Sequence, residues 1–167
     1  NLIFTPKAQA NYNYSLAFTT DAAGSPHSVA LSGTATAPTI NLGPALNFAN
    51  QVEGTASAAQ TVTLTNASPV AITLTSAISV SSAGPFSVSP SGAIPCTSGL
   101  VLAGGASCTA SVVFAPTSIA SFGNGLTVSY QVITSLLNTG SSLGGNSLAP
   151  TFTLGPALNF GNVAVGG

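Results

Sequence analysis

The ten residues TINLGPALNF at Thr39–Phe48 return as TFTLGPALNF at Thr151–Phe160. From 39 to 151 the offset is 112 residues, the size of one small β-sandwich domain, so the chain reads as part of a tandem array. Other pairs extend the match. NLIFTP at Asn1–Pro6 corresponds to SVVFAP at Ser111–Pro116, an offset of 110, which also sets Leu16 on Leu126 and Phe18 on Val128. GTATAP at Gly33–Pro38 corresponds to GNSLAP at Gly145–Pro150 at an offset of 112, so the segment between gained two residues. FGNVAVGG at Phe160–Gly167 corresponds to FANQVEGT at Phe48–Thr55. The chain therefore divides into three units: residues 1–38 as the last three strands of a preceding module, residues 39–149 as a complete module, and residues 150–167 as the first strand of a following one, or as a strand donated to a neighbouring subunit.

Within the complete unit the apolar residues alternate. TVTLT at Thr61–Thr65 sets Val62 and Leu64 opposite three threonines. LTVSYQV at Leu126–Val132 places Leu126, Val128, Tyr130 and Val132 on one face, and Ala110, Val112 and Phe114 repeat the pattern. Period-two alternation in runs rich in β-branched residues, with Gly, Pro, Asn and Ser between them, predicts short strands and an all-β fold. Seven strands are expected, near 41–48, 60–66, 70–80, 86–89, 109–114, 125–133 and 146–149. Long loops are expected at Pro90–Ser107 and Ile133–Asn146. This spacing suits an immunoglobulin-like seven-stranded β-sandwich in tandem repeat. Pro44 and Pro156 stand at the same place after each junction and are expected to stiffen it.

The chain of 167 residues holds one basic residue (Lys7), two acidic ones (Asp21, Glu53) and one histidine (His27). At 2% charged it departs far from the roughly 25% of ordinary domains, yet 45% of its residues are apolar, enough for a core. A single cation leaves nothing to neutralise a phosphate backbone, which argues against nucleic acid as a partner. The mean hydropathy is +0.54, but no run of about 18 apolar residues would make a membrane span in this segment. No Met starts the chain and no apolar signal precedes Asn1, so an export signal is expected to have been removed or to lie elsewhere. With so few ionisable groups, stability should be nearly flat from about pH 3 to 9.

Candidate chemistry is sparse. Cys96 and Cys108 bracket a Gly- and Ser-rich loop with eleven residues between them. A disulfide pinning that loop is the favoured reading, and two buried free thiols are the alternative. The bonded form implies an oxidising compartment, hence an extracellular or cell-surface location. Metal binding needs more ligands than this loop offers. Any nucleophilic triad must use His27, and any carboxylate pair must use Asp21 with Glu53, which fall in different units. Lys7 suggests an intramolecular Lys–Asn isopeptide bond, but it aligns with Thr117, so the complete unit lacks the lysine. Gly104-Gly105 reads as a turn, not a phosphate cradle. Asn13-Tyr14-Ser15 and Asn66-Ala67-Ser68 match the N-glycosylation acceptor pattern, although Asn66 also has a turn role. No cofactor and no catalytic residue are expected.

The unit resembles the bacterial repeats called choice-of-anchor D domains, relatives of ciliary ASH and major sperm protein immunoglobulin-like domains. LNFANQVEGT (Leu46–Thr55), TVTLTNAS (Thr61–Ser68), GPFSV (Gly84–Val88), Cys96 and LAGGASCTASVVFAPTS (Leu102–Ser118) carry the resemblance. It implies a seven-stranded sandwich of large secreted or surface proteins without a catalytic centre. The near-absence of charge and the long Ile133–Asn146 segment depart from that pattern. The expected role is a structural repeat of an extracellular filament or elongated surface protein, whose partners are copies of itself. Strand edges almost free of lysine permit lateral contacts as well. A carbohydrate- or protein-binding adhesin module using the two long loops is the alternative.

Overall fold

The computed structural model describes residues 1–133, 135–159, 161 and 165–166. Its thirteen strands, in chain order, are β1 (Ala10–Phe18), β2 (His27–Ala35), β3 (Ile40–Gly43), β4 (Leu46–Asn47), β5 (Gln51–Val52), β6 (Gln60–Asn66), β7 (Ile72–Leu74), β8 (Ser79–Val80), β9 (Phe86–Ser91), β10 (Val101–Leu102), β11 (Ser107–Phe114), β12 (Ser121–Val132) and β13 (Ser135–Leu148). The fold is all-β, an immunoglobulin-like sandwich of two sheets with a separate two-stranded hairpin. Among the described residues, no helix is long and apolar enough to cross a membrane.

One sheet runs β3-β6-β11-β9 and the other runs β10-β7-β12-β13-β4, with β5 added on β13 and β8 on β12. Alternation explains how the two meet. Val62 and Leu64 of β6, Val112 and Phe114 of β11, and Leu126, Val128 and Tyr130 of β12 all turn inward and are buried, and the intervening residues, hydroxylated on β6 and β12 and Val113 on β11, take the other face. Leu42, Leu46, Phe48, Ile72, Leu74, Phe86, Leu102 and Leu143 close the same core.

Several expected strands prove to be broken. The first is two: β3 pairs antiparallel with β6 in one sheet, and β4 pairs parallel with β13 in the other. Pro44 stands at the break, where its missing N–H ends the β3 ladder and the chain crosses between sheets. Its place is therefore inside the sandwich edge, not merely at a junction between units. The third expected strand likewise divides into β7 and β8.

The expected Ile133–Asn146 loop is a strand from Ser135 onward, residue 134 lying outside the described residues. β13 pairs with β12 in continuous antiparallel register from Ser121 opposite Asn146 to Val132 opposite Ser135. Its glycines answer to close packing. A Cβ on Gly140 would lie 2.7 Å from the Leu126 carbonyl oxygen, and one on Gly145 would lie 2.9 Å from the Phe114 ring. The expected Pro90–Ser107 loop also holds structure: β9 continues to Ser91, and β10 forms an edge against Ile72 and Thr73 of β7.

Residues 1–38 contain two strands, not three. β1 and β2 form an antiparallel hairpin from Ala10 opposite Ala35 to Phe18 opposite His27. Residues 1–9, the counterpart of the end of β11 and of the β11–β12 connection, form no strand. In the sandwich, β11 is held between β6 and β9; around residues 1–9 no such neighbours supply a hydrogen-bonding ladder.

Candidate functional site

Chemistry-bearing side chains are dispersed. Asp21 lies in the β1–β2 connection, His27 starts β2 with its ring 5.6 Å from that of Phe18, and Lys7 is exposed ahead of β1. Glu53 follows β5, its N–H donating to the Leu148 carbonyl at 2.9 Å. Among the described residues, no three His, Cys, Asp or Glu gather where they could hold a metal ion.

Cys96 and Cys108 are joined, with Cα atoms 5.1 Å apart, and both are buried. The bond closes a crossover. Cys96 runs alongside β11, its N–H donating to Thr109 O at 3.0 Å, while Thr109 N–H donates to Ile94 O at 2.9 Å. The chain then crosses to the edge of the opposite sheet as β10 and returns as β11. With a sequence separation of 12 between the cysteines, the double substitution Cys96→Ser/Cys108→Ser should lower unfolding stability by roughly 3 kcal/mol. Chemical denaturation of both proteins, without and with reductant, checks this: reductant should shift the parent and leave the double variant unchanged.

Asn66 is fully buried at the end of β6. Its Nδ2 donates to the carbonyls of Val70 (2.8 Å), Leu102 (3.0 Å) and Ala103 (3.1 Å), and its Oδ1 accepts from the Ser68 N–H and hydroxyl. One side chain thus ties the turn after β6 to the crossover closed by the disulfide. The atom that a glycan would modify is enclosed by three carbonyls, so the acceptor-like tripeptide at Asn66 is structural. Tyr130 is buried on β12, and desolvation there raises its pKa from 10.0. The fold favours the neutral phenol, so this contribution is intact below about pH 10 and is lost as pH rises beyond it. Melting temperatures taken across neutral to alkaline pH should hold level and then fall above about pH 10, the fall disappearing in Tyr130→Phe.

The remaining candidate is a surface. The hairpin β1–β2 keeps the register of β12–β13 when each strand is shifted by its repeat offset: Phe18 opposite His27 maps onto Val128 opposite Thr139, and Leu16 opposite Val29 onto Leu126 opposite Ser141. Packing repeats as well. Phe4 and Tyr12 meet edge-on at 5.5 Å and 71°, as Phe114 and Phe122 do at 5.7 Å and 63°. A Cβ on Gly33 would lie 2.9 Å from the Phe4 ring, as one on Gly145 would from Phe114. Among the described residues the hairpin is a two-stranded sheet of its own. Leu16 is 48% exposed where Leu126 is 2%. A groove of about 530 Å³ opens along this face, with Leu2, Phe4, Tyr12 and Leu31 among its lining. Sequence reasoning aligned Leu2, Phe4, Leu16 and Phe18 with residues of the sandwich but did not single out Tyr12 or Leu31 and gave none of them a surface role.

No family model matches the chain, and no curated protein does. Among solved structures, an ASH/PapD-like domain of human CEP192 (PapD-like domain 7) is similar over 67% of this chain and 87% of its own, at 12% identity and a TM-score of 0.48. The VesB protease of Vibrio cholerae is similar over 64% of this chain at 19% identity and a TM-score of 0.52. The secreted serine protease VesC of the same organism matches over 66% of this chain at 18% identity and a TM-score of 0.44. The chain spans 31% of VesB and 23% of VesC. The likeness to VesB is one of fold.

Proposed function

We propose that this chain is a non-enzymatic structural repeat of an elongated extracellular or cell-surface protein, of the choice-of-anchor D kind. Residues 1–38 are the closing strands of one immunoglobulin-like module, residues 39–149 the next module, and residues 150–167 the opening of a third. The observation that carries this reading is the shared register and shared aromatic packing of β1–β2 and β12–β13, which sequence similarity alone did not require. The disulfide supports an oxidising setting. Scattered ionisable groups, with no carboxylate, histidine and nucleophile brought together among the described residues, favour a mechanical role over catalysis. Polar hydroxyls in place of charges leave the sandwich surfaces able to approach one another without repulsion.

The adhesin alternative loses part of its basis, because Ser135–Asn146 of one of its two expected loops is strand. Electron micrographs of native material test the proposal: rods or fibres with a repeating bead are expected. Separate compact particles that bind glycans on an array would overturn it in favour of the adhesin.

A further inference from the structure

We propose that Asn124–Gly125 is a self-modification site, at which the Gly125 nitrogen closes on the Asn124 amide and water then opens the ring to an acid. The pair is the single Asn-Gly dipeptide of the sequence. Asn-Gly ordinarily marks a tight hairpin turn, yet here it lies inside β12, in register with Leu143 and Ser142 of β13. The strand pattern does not demand it: at the repeat offset of 110, the aligned residues of β1 are Tyr14 and Ser15.

Ser82, exposed in the turn between β8 and β9, sets up the reaction. The Gly125 N–H donates to Asn124 Oδ1 at 2.8 Å, which holds the attacking nitrogen beside the amide it must reach. The Ser82 hydroxyl donates to the same Oδ1 at 3.1 Å, placed to stabilise the negative charge this oxygen takes on when Cγ becomes tetrahedral. On the other side of the amide, Nδ2 donates to the Ser82 carbonyl at 2.8 Å, which orients the leaving nitrogen. Gly125 has no side chain to shield its nitrogen, and a Cβ there would lie 2.7 Å from the Ser81 hydroxyl oxygen. In the reaction a base takes the Gly125 N–H proton, the N–Cγ bond forms and the Cγ–Nδ2 bond breaks. Nδ2 takes a proton from water and leaves as ammonia, and a succinimide remains. Water adds to either ring carbonyl, and cleavage of that carbonyl's bond to the ring nitrogen gives aspartate or isoaspartate. The chain thereby gains a third acidic group beside Asp21 and Glu53. The new carboxylate cannot donate to the Ser82 carbonyl, and the isoaspartate form adds a methylene to the backbone of β12. The corner that Ser81 N–H ties to the Gly125 carbonyl at 2.7 Å is loosened as a result.

Incubation of the full chain at mildly alkaline pH, followed by anion exchange and peptide mapping, tests the site. The folded protein should accumulate an acidic species with isoaspartate at position 124. Ser82→Ala should slow this several-fold in folded protein and leave it unchanged in urea, where Ser82 is no longer held beside the amide. Ser82→Thr, which keeps the hydroxyl, should restore most of the rate. Ser82 is exposed, so both variants should keep the fold, which circular dichroism checks. Absence of isoaspartate at position 124 in the folded chain would overturn the proposal. So would a folded-state rate for Ser82→Ala equal to or above the parent's, which would make the Ser82 contacts a clamp against ring closure, or a Ser82→Thr rate no higher than that of Ser82→Ala.

Discussion

Phe114→Ala is expected to destabilise the sandwich by about 3–5 kcal/mol, the usual cost of removing a fully buried ring. Phe114 has no exposed surface. Its ring centroid lies 4.9 Å from that of Phe86, 5.8 Å from that of Phe48 and 5.7 Å from that of Phe122. Gly145 sits against the same ring with no room for a side chain, so nothing nearby can collapse into the space without moving backbone. A drop of more than about 10 °C in melting temperature should accompany the loss. Phe4→Ala is the internal comparison. Phe4 holds the corresponding place on the hairpin but is exposed, and its truncation should leave the melting temperature of the sandwich within about a degree or two.

Asn66→Ala should cost about 3 kcal/mol or more. The substitution removes a donor from the carbonyls of Val70, Leu102 and Ala103, of which Val70 keeps the Ser68 hydroxyl and Ala103 the Ala106 N–H, and takes the acceptor from the Ser68 N–H and hydroxyl; each buried group left unpaired costs about 1–3 kcal/mol, though the costs do not simply add. Asn66→Asp should be worse at neutral pH, because a carboxylate would face carbonyl oxygens where the NH₂ now donates. Urea midpoints at pH 7 and pH 4 check the distinction. The aspartate variant should recover part of its loss at the lower pH, where a protonated acid can donate once, and the alanine variant should not.

The sandwich was legible where alternation was strict. Val62 and Leu64, and Leu126 through Tyr130, announced their faces because every second residue is apolar and the rest are hydroxylated; Ala110, Val112 and Phe114 kept the same period, with Ser111 and Val113 between them. Two features hid β13. Its residues are mostly Ser, Gly and Asn, which usually mark loops, and its hairpin carries no Asn-Gly or similar turn signal; Ile133 instead adopts φ 55°, a conformation β-branched residues rarely take. The glycines that made it resemble a loop are there because backbone and a phenyl ring approach too closely for a Cβ. Division of the first strand at Pro44 was readable in principle, since proline ends a ladder, but the sheet that each piece would join was not. Cys96 and Cys108 were legible as a pair from spacing. The role of Asn66 was not, because its three carbonyl partners come from two segments separated by more than thirty positions.

The exposed apolar face of β1–β2 was foreshadowed by the repeat offsets, yet only the structure shows that the hairpin keeps the module's register in the absence of an opposing sheet. That persistence comes from local contacts: Phe4 on Gly33, Tyr12 against Phe4, and a ladder of nine pairs from Ala10–Ala35 to Phe18–His27. A two-stranded hairpin is marginal alone, so these local contacts are what hold its register.

Whether residues 39–149 are a whole unit, with the flanking segments belonging to other units, is measured most directly by excising them. The fragment should unfold in one cooperative transition, with a midpoint within a few degrees of the sandwich transition in the 167-residue chain. A fragment that fails to fold, or that melts far below the parent, would mean that residues 1–38 and 150–167 contribute to its core.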